Sequence, residues 1–87
     1  MKRADTPSSL NVIARSPFEV HYEGPAEAVT AINKVGEFDI LAGHADFFSV
    51  LSPCEVTIRT STDPINFMIT NGIITVRDNE VLLFVNM

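Results

Sequence analysis

The sequence predicts an all-β domain: a sandwich of about nine to ten short strands. Three observations carry this. Short runs alternate apolar and polar residues with a period of two, clearest in Cys54-Glu55-Val56-Thr57-Ile58-Arg59. Turn-forming clusters separate these runs at the close spacing of sandwiches and barrels. No segment shows a sustained apolar period of 3.6 residues.

In chain order, residues 1–9 read as a flexible tail, polar and carrying Pro7 and the Ser8-Ser9 pair. The domain proper is residues 10–87. Residues 10–15 form the first strand. Residues 18–23 alternate apolar Phe18, Val20 and Tyr22 with polar neighbours, and Gly24-Pro25 ends that strand. Residues 26–33 carry Val29 and Ile32 and read as a strand; the alternative is one helix over residues 26–34, short and burdened by β-branched side chains. Residues 38–41 and 47–51 are short strands, the second closed by Ser52-Pro53. Residues 54–60 follow, then the turn cluster Ser61-Thr62-Asp63-Pro64. Residues 65–70 and 73–77 are expected to pair as a hairpin through Asn71-Gly72. Asp78-Asn79 turns the chain again into a last strand over residues 80–86.

That last strand is apolar at both parities. Val81, Leu83 and Val85 face one way, Leu82 and Phe84 the other. Either loops cover the second pair, or Leu82 and Phe84 contact something outside this chain.

At 87 residues the chain makes one domain with one modest core. An apolar share of 46% excludes disorder over most of its length and leaves apolar area for a partner surface. Six basic against eleven acidic residues, a net charge of −5, argue against nucleic acid and anionic lipid. The single Cys54 excludes an internal disulfide and a Cys-rich zinc site, and its apolar parity makes it a small core residue. No run approaches the ~20 apolar residues of a membrane span, and a polar stretch follows Met1-Lys2-Arg3 where a signal peptide needs an apolar one.

The densest polar chemistry lies in Gly36 to Phe48, with Glu37, Asp39, His44 and Asp46 between apolar residues. A carboxylate-held His44 is the one candidate general base or metal ligand. Metal sites need three or more ligands, and His21 sits on the polar face of another strand. Ser49 and Ser52 lack a glycine elbow, and Gly36 and Gly43 lack the lysine of a phosphate loop. The two glycines instead fit positive-φ positions of a tight loop. No catalytic residue, metal ligand or cofactor is therefore assigned, and the reading from residues alone is a β-sandwich for binding or assembly.

The same loop carries a resemblance. Gly36-Glu37-Phe38-Asp39-Ile40-Leu41-Ala42-Gly43-His44-Ala45-Asp46-Phe47 resembles the G-E-x-G-I-L-P-G-H-A-P-L segment of epsilon subunits of rotary F-type ATP synthases, called delta in mitochondria. Leu10-Asn11-Val12-Ile13-Ala14-Arg15-Ser16-Pro17 is similar to that family's first strand. Ser52 to Arg59, Thr70 to Val76 and Asn79 to Leu83 are similar to its later strands. The match runs from Leu10 to Val85. Departures are Asp39 for a glycine, Ala42 and Asp46 for the prolines flanking Gly-His-Ala, Cys54 for a turn glycine and Asn71 for a glycine. Losing the prolines frees the loop; asparagine tolerates left-handed φ, so Asn71 is a mild change.

The resemblance implies a ten-stranded sandwich in the central stalk, non-catalytic, bound to the gamma subunit and to the membrane rotor ring of c-subunits. It implies that Glu37 faces the ring and His44 the stalk, with Asp39, Gly43 and Asp46 completing the docking loop and Leu82 and Phe84 against helix or stalk. No small-molecule substrate, nucleic acid or direct membrane insertion is implied. The expected place is the cytoplasmic side of a bacterial inner membrane, peripheral through the complex. The family's C-terminal helical hairpin is expected to be absent, since the chain stops where it would begin. The rival reading is a free-standing interaction module with an unrelated partner.

Overall fold

The computed structural model describes residues 9–87. The expected tail, residues 1–9, lies outside the described residues except for Ser9. Two sheets face each other. The five-stranded sheet contains β1 (Leu10–Ser16), β2 (Glu19–Ala26), β5 (Phe47–Leu51), β8 (Asn71–Arg77) and β9 (Glu80–Asn86), in the order β2-β1-β9-β8-β5. The four-stranded sheet contains β3 (Ala28–Ile32), β4 (Glu37–Leu41), β6 (Cys54–Arg59) and β7 (Ile65–Ile69), in the order β4-β3-β6-β7. All pairs are antiparallel except β1 with β9.

The sandwich and its strand count follow from the alternation. One parity of each central strand is buried: Leu10, Val12 and Ala14 in β1, Val56 and Ile58 in β6, Val81, Leu83 and Val85 in β9. These meet Val29 and Ala31 of β3 and Ile40 of β4 in one cluster. Burying each large side chain is worth about 1.5–3 kcal/mol. Among the described residues no polar or charged residue is buried as a whole; His21 Nε2 is the one buried side-chain polar atom without a hydrogen-bond partner. Cys54 is a buried free thiol, as its parity requires. Residues 28–32 form a strand, which removes the helix alternative. Asp78 and Asn79, at φ 51° and 64°, form a two-residue turn between the paired Arg77 and Glu80.

Two readings of the sequence are corrected. Residues 18–23 alternate cleanly, yet Phe18 lies in the turn before β2 and is 98% exposed, Val20 is 45% exposed, and the His21 ring stacks on Phe67 at 5.7 Å. The cause within the strand is a bulge. Ala14 pairs with Tyr22 and Arg15 with Val20, leaving His21 as the extra residue. An extra residue reverses the parity beyond it. The strand also continues through Gly24-Pro25 to Ala26, because β2 is an edge strand where a missing N–H costs no ladder bond.

The second correction concerns Asn71-Gly72, which makes no hairpin. β7 and β8 lie in different sheets, with Thr70 alone between them. Thr70 N–H and hydroxyl both donate to the Asn86 carbonyl, at 2.8 and 3.2 Å, which anchors the crossing. Asn71 is not at positive φ, so its tolerance of left-handed backbone is not called on. Gly72 serves close approach, since a Cβ there would lie 2.9 Å from the Phe84 carbonyl oxygen.

Candidate docking surface

The loop from Ala42 to Asp46 joins β4 to β5, an edge strand of one sheet to an edge strand of the other. Phe38 and Phe47 pack together beneath it with ring centroids 5.3 Å apart. Ile40, fully buried, fixes β4 to the core. Gly43 takes φ 86° and Gly36 φ 143°, conformations that require glycine. His44 N–H donates to the Leu41 carbonyl at 3.0 Å, closing the turn. The imidazole Nδ1 lies 2.8 Å from the Ala45 carbonyl, which accepts its proton, and the ring sits edge-on to Phe47 at 5.5 Å.

The acids of this stretch do not converge on His44. Glu37 opens β4 and pairs with Ile32, while His44 lies beyond its far end. Four residues of strand put roughly 13 Å between those ends. Glu37 instead lies beside the Asn33–Gly36 turn, which Asn33 organises by accepting Val35 N–H at 2.9 Å and donating to Ser49 Oγ at 3.0 Å. Asp39 lies midway and accepts the Thr30 hydroxyl proton at 2.6 Å. Asp46 is exposed in the loop. Among the described residues no group of three His, Cys, Asp or Glu side chains is placed to hold a metal ion.

A second surface is the outer face of the five-stranded sheet. Its register lines up two rows across all five strands. One reads Val20, Arg15, Phe84, Ile73, Val50 and the other Glu23, Ile13, Leu82, Thr75, Phe48. Leu82 and Phe84, 43% and 46% exposed, sit at the centre, and among the described residues no loop covers them. Polar pairs border the rows: Asn11 donates to Glu80 at 3.1 Å on one side, Asn86 to Asn71 at 2.8 Å on the other. An apolar patch with a polar rim is the anatomy of an interface. Sequence reasoning found Leu82 and Phe84 but missed Val20, Ile73, Phe48 and Val50. For β5 the signal was present: Phe47-Phe48-Ser49-Val50-Leu51 is apolar at both parities, as β9 is. For Val20 the bulge concealed it.

Comparison with known proteins agrees with the fold. The family model for the ATP synthase delta/epsilon chain β-sandwich domain matches residues 9–87. The ATP synthase epsilon chain of Clostridium perfringens is 31% identical over 80 residues, covering 91% of this chain and 60% of that protein. Epsilon chain 1 of Methylococcus capsulatus is 37% identical over 57 residues, 64% of this chain and 41% of that one. The chain thus spans less than two thirds of the length of these relatives. The fold also matches a chain in the cryo-EM structure of the Euglena gracilis mitochondrial ATP synthase (OSCP/F1/c-ring), with a TM-score of 0.88, 21% identity, and coverage of 95% of this chain and 54% of that one. A chain of the Tetrahymena thermophila central stalk/c-ring structure gives 0.79 at 22% identity, covering 90% and 63%. With the family model matched over every described residue, the strand order and the Gly-His loop have a common explanation: the chain belongs to the ATP synthase delta/epsilon chain family and forms its β-sandwich domain.

Proposed function

We propose that this chain is a non-catalytic central-stalk domain that couples the membrane rotor ring to the gamma subunit of a proton-translocating ATP synthase. The observation that carries the proposal is the rimmed apolar face around Leu82 and Phe84 on a sandwich of this family. Gamma packs on that face and beside the Gly-His loop, with His44 directed to the stalk. Glu37, at the other end of β4, faces the polar loops of the ring. Asp39, Gly43 and Asp46 shape the stretch between. The roughly 13 Å length of β4, with Glu37 at one end and the Gly-His loop beyond the other, suits a rigid spacer with contacts at two ends. A packed core cluster of apolar side chains and Cys54 gives the stiffness that torque transfer needs. Among the described residues no helix is long and apolar enough to cross a membrane. Attachment to the bilayer in this reading is through the ring. The placement is the cytoplasmic face of a bacterial inner membrane.

Co-elution of the 87-residue chain with purified gamma subunit, and with the detergent-solubilised ring, tests this. A stable complex with gamma is expected. Glu37→Gln is expected to weaken ring binding about two- to fivefold, the range of an exposed charge pair, and to leave gamma binding unchanged. Equal loss toward both partners contradicts the assignment of Glu37 to the ring.

A further inference from the structure

The Gly-His loop is hydrogen-bonded to the turn between β8 and β9 through one side chain. Gly43 N–H donates to Asn79 Oδ1 at 2.7 Å, across 36 residues of sequence. Asn79 is itself held firmly. It is the second residue of the two-residue turn between β8 and β9, at φ 64°, a conformation asparagine tolerates better than most residues. Its carbonyl accepts Asn11 N–H at 2.8 Å from the start of β1. The side chain therefore projects from a backbone fixed by three strands. The loop's own constraints are local: among the described residues its backbone–backbone bond is His44 N–H to Leu41, and the His44 side chain meets the Ala45 carbonyl and Phe47.

We propose that Asn79 is the positioning residue of the docking loop. It holds Gly43, and with it the adjacent His44, in the pose from which the loop meets gamma. The proposal rests on reading the loop as a docking element, and it assigns Asn79 no contact with the partner. Two demands meet at this residue, a left-handed backbone and a side-chain acceptor. Aspartate meets both, glycine only the first.

Amide hydrogen exchange by NMR on the whole chain, with gamma affinity measured in parallel, tests it. Asn79→Gly keeps the turn and removes the acceptor. Exchange of the Gly43 amide is expected to accelerate about tenfold while the core amides of β8 and β9 are unchanged. Gamma affinity falls about fivefold. Asn79→Asp is expected to restore both. Unchanged Gly43 exchange in Asn79→Gly overturns the clasp. Faster exchange with unchanged gamma affinity overturns the positioning role. Failure of the unaltered chain to bind gamma overturns the docking reading itself, and the loop's role with it.

Discussion

Replacing Leu83 with alanine is expected to destabilise the domain by about 3 kcal/mol, within the 2–5 kcal/mol of buried leucine truncations. Leu83 lies in β9, the central strand of the five-stranded sheet, and is 0% exposed. Strands flank it on both sides, and Ala14 and Ile74 are its register partners. Sheet geometry prevents these neighbours from closing on the space left, so the cavity cost adds to the lost burial. In a domain of this size the melting temperature should fall by roughly 10–25 °C. Leu82→Ala, one residue away on the open face, should cost less than about 1 kcal/mol. Thermal unfolding of both variants checks the pair. Equal losses would mean that the two faces of β9 are not distinguished as described.

Gly72→Ala is expected to destabilise by about 2 kcal/mol, where the same change at an unstrained position of compatible backbone usually stabilises. The reason is space, since Gly72 is not at positive φ. An added Cβ would meet the Phe84 carbonyl oxygen at 2.9 Å and a Val85 Cγ at 3.0 Å. The first is backbone of the neighbouring strand and cannot swing away. β8 and β9 must separate, which loosens Thr70 and Asn71 where the chain crosses between sheets. Gly43→Ala fails differently. No atom lies within 4 Å of its Cβ, so its cost comes from φ 86° alone. Urea titration of Gly72→Ala should show a lower midpoint with an unchanged slope. A raised midpoint would contradict the close approach.

How much of this was legible follows from what a period of two can report. It reports which side chains share a face, and so the core residues of β1, β6, β8 and β9 stand in the sequence. It does not report which sheet a strand joins. Asn71-Gly72 therefore looked like a hairpin, although β7 and β8 lie in different sheets. Nor does it survive an inserted residue, so one bulge at His21 sent Val20 outward, while Phe18 belongs to the turn before the strand. The two ends of β4 were also compressed. Glu37 and His44 are seven residues apart in a single stretch, and only extended backbone shows that they lie at opposite ends of β4. The clasp of Asn79 on Gly43 joins residues too distant in sequence for any local pattern to reveal. The family was readable in the Gly-His loop with its flanking strands, and the match over residues 9–87 establishes it.

The most direct test of the central claim is the affinity of the chain for purified gamma subunit, compared with that of the Leu82→Ser/Phe84→Ser double variant by calorimetry. Both residues are half-open, so the variant should fold with nearly unchanged melting temperature. Its affinity should fall by at least about thirtyfold, as expected when apolar anchors at the centre of an interface are removed. A stable double variant that binds gamma as tightly as the unaltered chain, or no gamma binding by either, would contradict the assignment of this face to the stalk.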